Sequence, residues 1–351
     1  MGLTLEQLGG WSYVLGRLAG GHDLTETEAS AALTDVFDGN ATSAQLAAFI
    51  FGLRCKGETV EEMTGLVRTM VDAAEPVPID PGLRDRLIDT CGTGGDRSGT
   101  INISTIAAFV AAGAGVPVCK HGGRAASSKA GSADLLEALG VAIELGPAGV
   151  ASCIDEAGIG FCFAPRFHPS MRHAGPTRRE LGVPTVLNFL GPLANPARVR
   201  RQVVGVSDPA MAEKMISVLA ANGAIRTLVV FGHDGLDELT TCDRSTVVEL
   251  RDGEVRTYLV DPGELGLAPA DPAELLGADA ITNADLARRV LSGEKGPHRD
   301  IVLLNSAAGL VAAGEAADLS EGLVNAAASI DTGQAAAALE RLVNVSQRLA
   351  G

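Results

Sequence analysis

A chain of 351 residues has room for two domains. Hydrophobic residues make up 46% and charged residues 20%, which excludes a disordered or collagen-like chain. The net charge of −15 argues against a basic nucleic-acid-binding face, but an acidic chain still binds phosphates through backbone N–H groups, a few placed cations and a metal ion.

The elements begin with four helix starts. Thr4–Gln7, Thr25–Glu28, Thr42–Gln45 and Thr59–Glu62 each have capping-box spacing, in which the hydroxyl takes the N3 amide and the Glu or Gln reaches back. Two amphipathic faces follow: Leu46, Phe49, Ile50, Leu53 and Met63, Leu66, Val67, Met70. A small helical domain therefore ends near Val71, and Glu75–Gly82 is a Pro-rich connector. This places a small helical domain at 1–78 and a large α/β domain at 79–351.

From Leu83 short runs alternate with helical patterns. Leu87–Thr90, Val116–Lys120, Val141–Leu145, Ile159–Ala164, Gln202–Ser207 and Thr227–Phe231 read as strands. Ser104–Ala114, Ala133–Leu139, Ala148–Ala157 and Ala210–Ala221 read as helices between them. The alternation predicts a largely parallel sheet. The polar stretch Arg166–Leu181 interrupts it. Val247–Leu250 and Val255–Val260 flank Asp252-Gly253 as a hairpin, and the Ala-rich last third is helical.

The opening residues lack a basic n-region and a long apolar core, so no secretory signal is expected. The longest apolar run, Ile106–Gly115, is far too short for a membrane span. Six cysteines without CxxC spacing point to reduced thiols in a cytoplasm.

Four segments carry chemistry. Asp89-Thr-Cys-Gly-Thr-Gly-Gly-Asp96 lies between a strand and a helix start, where Gly92, Gly94 and Gly95 would let amides approach a phosphate. It is neither a Rossmann fingerprint nor a Walker A loop, and by itself it is equally a tight turn. Thr100-Ile-Asn-Ile-Ser-Thr105 follows; Asn102 or Ser104 caps the helix, binds phosphate or a metal, or does both. Lys120-His-Gly-Gly-Arg-Ala-Ala-Ser-Ser128 ends the next strand at the same sheet edge, bringing the cations Lys120 and Arg124 and the hydroxyls of Ser127, Ser128 and Ser132. His168–Glu180 contains Arg178 and Arg179, which are surface charge or a carboxylate receptor. Asp237-Glu238 in a predicted loop is a solvated acidic turn or a Mg²⁺ site completed by substrate phosphates.

Taken in order, Cys91–Asp96, Asn102–Thr105, Lys120-His-Gly, Arg124–Ser128, Asn188–Pro196 and Asp237-Glu238 resemble anthranilate phosphoribosyltransferase over nearly the whole chain. The resemblance implies a nucleoside phosphorylase-like phosphoribosyltransferase fold, with a small helical domain and a large α/β domain carrying a mainly parallel central sheet. It implies Mg²⁺-dependent transfer of the 5-phosphoribosyl group from phosphoribosyl pyrophosphate to the amine of anthranilate in tryptophan biosynthesis. Two Mg²⁺ ions, a homodimer formed through the helical domain, and no nucleic-acid or membrane partner are expected with it.

Carried over by position, Gly92, Gly94, Gly95 and Asp96 surround the pyrophosphate and ribose. Thr100, Asn102, Ser104, Thr105, Lys120 and Ser132 bind the phosphoribosyl donor. Ser104 lies near one Mg²⁺, and Asp237 and Glu238 hold a second. His121, Gly123, His168, Arg178 and Gly191 line the acceptor site, with Arg178 facing the carboxylate. Residues of about 165–185 join the helical domain in space. The pattern departs at Gly123, where the family usually has an Asn that contacts anthranilate. That keeps open an alternative in which the same donor chemistry serves another aromatic acceptor in secondary metabolism. A pyrimidine nucleoside phosphorylase and a nucleic-acid-binding paralogue fit the Asn-Ile-Ser-Thr element, the Asp237-Glu238 pair and the charge less well. An arylamine is neutral at pH 7, so no nucleophile and no strong general base is expected.

Overall fold

The computed structural model describes residues 3–125 and 129–351. Ser127 and Ser128, singled out above, lie outside the described residues. Thr25, Thr42 and Thr59 each close a full capping box and open helices α2 (Glu26–Phe37), α3 (Ser43–Lys56) and α4 (Val60–Asp72). Thr4 and Gln7 also exchange bonds, at 2.9 and 3.4 Å, but they open only a 3₁₀ turn, and α1 starts later, at Gly10–Ala19. Gly9 in the left-handed region separates the two. The α4 cap has a second use. Glu62, fully enclosed, also accepts from Leu24 N–H at 2.8 Å and pairs with Lys56 at 3.0 Å, which ties α4 to the start of α2 and the end of α3.

Seven strands form one sheet in the order β3-β2-β1-β4-β5-β6-β7. They are β1 (Ile88–Gly92), β2 (Val118–Gly122), β3 (Ile159–Phe163), β4 (Arg201–Gly205), β5 (Arg226–Gly232), β6 (Ser245–Arg251) and β7 (Glu254–Val260). The first five run parallel and the last two antiparallel. Asp252 and Gly253 both have positive φ, as a tight two-residue hairpin turn requires. The strand expected at Val141–Leu145 does not form. Val141, Ile143 and Leu145 are buried in alternation, but the segment pairs with no strand. It packs on the last helix, with Ala142 N–H donating to Ser346 and Gln347 donating to the Gly140 carbonyl. Alternate burial against a helix imitates the strand period.

The sheet's side chains divide between two cores. Val203, Leu228 and Val230 join the core under the C-terminal helices. Val204, Val229 and Val248 join α1–α4 in the other. The helical domain thus covers one face of the sheet and shares its core. Within the interrupting polar stretch, Pro169–His173 packs on α2, Gly175–Leu181 packs on α3, and Ala174 is fully buried among the helical-domain residues. Among the described residues no helix is long and apolar enough to cross a membrane. All six cysteines are free.

Candidate active site at the carboxyl end of the sheet

Strand order reverses direction between β1 and β4, so the loops after these strands splay apart and leave a crevice. The glycine loop after β1 opens there. Gly94 and Gly95 have φ of 65° and 91°, and Arg97 also lies in the left-handed region. Gly92 has a different reason to be glycine. A Cβ there would stand 2.7 Å from Asp237 Oδ2, and one on Gly205 would stand 1.6 Å from the Asp237 carbonyl oxygen. The absent side chains admit the Asp237 loop over the ends of β1 and β4, and Gly92 serves that approach. Sequence reading missed Gly205 because a lone strand-end glycine carries no signal.

Asp237 and Glu238 occupy a loop between β5 and β6 and point to different partners. Gly94 N–H donates to Asp237 Oδ2 at 2.7 Å, and Ser104 N–H donates to Glu238 Oε1 at 3.1 Å. The pair therefore grips both arms of the glycine loop. Burial, followed by the charges of Asp96 and Glu238, pushes the Asp237 carboxyl well above its usual range. Burial lifts Glu238 to about 7, against the pull of Lys120 and the Ser104 bonds. A nearby cation would offset the cost of keeping Asp237 and Glu238 ionised, so this pair fits a hard divalent ion. Among the described residues no three His, Cys, Asp or Glu side chains form a ready-made cage. Mg²⁺ takes one or two carboxylates and completes its shell with water and substrate phosphates.

Lys120 is 3% exposed, and its ammonium donates to the Thr90 carbonyl between β1 and β2. Asp89, fully enclosed, accepts from His121 N–H at 3.1 Å and from Asn195 at 2.8 Å; burial raises its carboxyl and Lys120 opposes the rise. Asn195 also donates to the Cys119 carbonyl, so it clamps the end of β2 against β1. Sequence reading held Asn195 inside a motif without giving it a role. Ser132 donates to the Gly123 carbonyl at 3.2 Å, at the start of the helix Ser132–Leu139. Thr100 lies half-buried beside Ser98, whose hydroxyl is 3.3 Å away.

Three expectations change. Asn102 stands at the N-cap position of the helix Ile103–Gly113 but makes no capping bond; its side chain is tied elsewhere. Thr105 is 1% exposed and does not reach the cleft surface, because one helical step past Ser104 turns it inward. Arg124 is not a free cation. It bonds Asp134 at 2.8 Å and also Glu137, and these carboxylates push its guanidinium up further.

The other half of the crevice is built from neutral groups. His121 Nδ1 lies 3.1 Å from the Gly191 carbonyl, which can only accept, so Nδ1 carries the proton and Nε2 keeps a free lone pair. His168 packs against it, the rings tilted by 51° with centroids 5.0 Å apart. Both rings are enclosed, 5% and 6% exposed, and neither Nε2 has a hydrogen-bond partner among the described residues. Burial, then the neighbouring His168, lowers His121 to about 3; burial lowers His168 to about 4. Arg178 sits on the helix Gly175–Leu181, half-buried, and makes no ion pair among the described residues. Burial alone lowers its pKa. A side chain on Gly191 would meet open space, and one on Gly123 only Ala164 at 3.9 Å. A separate cavity of about 270 Å³ beside Glu249, Arg256 and Tyr258 is lined by none of these residues.

A crevice at the carboxyl end of a mainly parallel sheet, with a helical bundle on one face and an acidic pair beside a glycine loop, is the plan of a glycosyl transferase. Residues 84–336 match the α/β domain of the glycosyl transferase family, and residues 12–74 match its helical bundle domain. The chain is 55% identical to the anthranilate phosphoribosyltransferase of Roseiflexus castenholzii, over 93% of this chain and 95% of that one. It is 51% identical to that of Rhodococcus jostii over 97% and 94%. The solved anthranilate phosphoribosyltransferase of Thermus thermophilus superimposes with a TM-score of 0.89 at 44% identity, over 95% of this chain and 99% of that one. The Saccharomyces cerevisiae enzyme, solved with phosphoribosyl pyrophosphate and Mg, gives 0.87 at 27%, over 96% and 98%. The chain belongs to the anthranilate phosphoribosyltransferase family.

Proposed function

We propose that the chain transfers the 5-phosphoribosyl group of phosphoribosyl pyrophosphate to the amine of anthranilate, with release of pyrophosphate, in tryptophan biosynthesis. The observation that carries this reading is the double grip of Asp237 and Glu238 on Gly94 and Ser104, beside the carboxyl ends of β1 and β4.

In this reading Gly92, Gly94, Gly95, Asp96, Thr100, Asn102, Ser104, Lys120 and Ser132 receive the phosphoribosyl donor. Ser104, Asp237 and Glu238 hold two Mg²⁺ ions, which when bound would neutralise the departing pyrophosphate. Arg178 takes the aromatic carboxylate, while His121, His168, Gly123 and Gly191 bound the ring. The histidines stay neutral at working pH, so they add no positive charge near a ribose carbon that is itself becoming positive. The arylamine attacks with its own lone pair. The protein's task is to align amine and C1 and to exclude water. No side chain forms a covalent intermediate.

In this reading residues 1–78 and 79–351 form the two domains, the donor loop lies in the second, and residues of about 165–185 join the first in space. A cytoplasmic homodimer through the helical domain accompanies the reading, supported by free thiols and by Tyr13 and Phe51, exposed on that domain at 38% and 47%. The test is an acceptor panel with phosphoribosyl pyrophosphate and Mg²⁺, scored by product mass. Product from anthranilate, lost on chelation of Mg²⁺, supports the reading. Product only from other aromatic amines replaces the acceptor, and none at all ends it.

A further inference from the structure

After β7 the chain returns to the carboxyl end of the sheet and is stitched to the glycine loop. Ile101 N–H donates to the Leu275 carbonyl at 3.1 Å, and Gly277 N–H donates to the Gly99 carbonyl at 2.8 Å. Thr100 forms a β-bridge with Leu276 between them. Asn283 closes the stitch from the first turns of the helix Ala280–Leu291 and is 2% exposed.

One backbone donor fixes two side-chain amides. Ala278 N–H donates to Asn283 Oδ1 at 2.7 Å. A backbone N–H only donates, so the oxygen of Asn283 must face Ala278 and its nitrogen must face the other way. There Asn283 Nδ2 donates to Asn102 Oδ1 at 3.0 Å. Asn102 must then turn its own nitrogen outward, and Nδ2 donates to the Ala130 carbonyl at 2.9 Å. An amide nitrogen carries two N–H groups. The second one on Asn102 is uncommitted among the described residues, and Asn102 is only half-buried. The fit has no slack: a Cβ on Gly277 would stand 2.6 Å from Asn283 Oδ1 and 2.9 Å from the Thr100 carbonyl oxygen.

We propose that Asn283 is a positioning residue, which holds the Asn102 amide so that an N–H, and not a carbonyl oxygen, faces the phosphate oxygens of the phosphoribosyl donor. The inference rests on donor binding at this loop, the reading proposed above. Were Asn102 flipped, its oxygen would oppose an anion.

Asn283→Asp still accepts from Ala278 but has no N–H to give Asn102. Asn283→Ser is neutral and too short to reach it, and it guards against a failure of the first variant to fold. In both, the apparent KM for phosphoribosyl pyrophosphate rises about tenfold, while that for anthranilate moves less than twofold. In an Asn102→Ala background the same substitutions change the donor KM by less than about twofold, because the residue they act through is gone. Equal rises in both KM values, or a full tenfold rise in the Asn102→Ala background, overturn the proposal. Calorimetric titration with phosphoribosyl pyrophosphate and Mg²⁺ separates the two levels. No binding to the parent sinks the reading of the loop. Binding to the parent that both Asn283 variants retain in full sinks the role of Asn283 alone.

Discussion

The two halves of the crevice solve opposite electrostatic problems. On the side of the glycine loop, Asp237 and Glu238 are enclosed with Asp96 near them, and their carboxyls are driven upward. On the side of the helical domain, His121 and His168 are enclosed and driven downward, to about 3 and 4. Both shifts begin with the same cause, loss of water around a charge. The outcomes differ in sign because a carboxyl loses its charge by gaining a proton and an imidazole loses its charge by giving one up. In the proposed reading, the first side receives a divalent cation and a polyphosphate, and the second receives a flat ring whose one carboxylate meets Arg178.

The strongest way to break this contrast is to empty the carboxylate side. Asp237→Ala combined with Glu238→Ala removes the bonds to Gly94 and Ser104 and the two carboxylates proposed to hold the cation. Turnover at limiting Mg²⁺ should fall by about a hundredfold or more. Steady-state rates across a Mg²⁺ series measure it. Near-parental activity at the lowest concentration would show that the acidic pair only braces the loop.

Next comes the lone cation on the opposite side. Arg178→Ala should raise the KM for anthranilate about tenfold or more and leave that for phosphoribosyl pyrophosphate nearly unchanged, because a shielded bidentate contact is lost on one substrate only. Paired KM measurements decide it. A matched rise in both would assign Arg178 to packing on α3.

These two tests also mark where the chain was readable in advance. The carboxylates and Arg178 stood out because charged residues beside strand ends and turns carry a chemical signal in the sequence itself. The capping boxes and the Asp252-Gly253 hairpin were legible because their geometry is local: three or four residues contain the whole hydrogen-bond pattern. What escaped depends on distant contacts. Val141–Leu145 has a strand's alternation, but its partner is the last helix, about two hundred residues on. Arg124 read as a free cation, but Asp134 and Glu137 on the helix Ser132–Leu139 pair with it. The tie of Asn102 to Asn283 spans 181 residues, and nothing near either residue announces it.

The neutral side can be probed through pH. His121 and His168 have folded values well below the unfolded value of about 6.5, so the unfolded chain takes up protons that the folded chain refuses. Their contribution to stability is complete above about pH 6.5 and is lost as the pH falls toward 4, by up to about tenfold in the folding equilibrium per histidine per pH unit. Asp89, Asp237 and Glu238 are shifted the other way and gain on acidification, so the parent's own curve mixes both signs. The clean measurement is the difference between the parent and His121→Gln with His168→Gln. Denaturant melts from pH 7.5 to 5 should show the variant losing less stability than the parent. Parallel curves would mean that the rings are hydrated and protonate freely.

The smallest effect lies at Gly123, where this chain leaves the family pattern. The backbone there is ordinary for any residue, and an added Cβ meets only Ala164, at 3.9 Å. A Cβ is therefore accommodated at this position among the described residues. An Asn adds one neutral hydrogen-bonding group to a wall now made of His121, His168 and the open space at Gly191. One such bond contributes about 0.5–1.5 kcal/mol net, or roughly three- to tenfold in affinity. Gly123→Asn should tighten anthranilate by that factor, and it should weaken ring-substituted acceptors that use the vacant space. Comparing kcat/KM for anthranilate and for methyl- and halogen-substituted analogues in the two proteins measures both at once. A gain for anthranilate with a loss for the analogues would show that the glycine sets acceptor range while Arg178 sets acceptor class. Unchanged ratios would move that control to the ring-facing histidines, whose free Nε2 atoms are then the remaining polar groups on that wall.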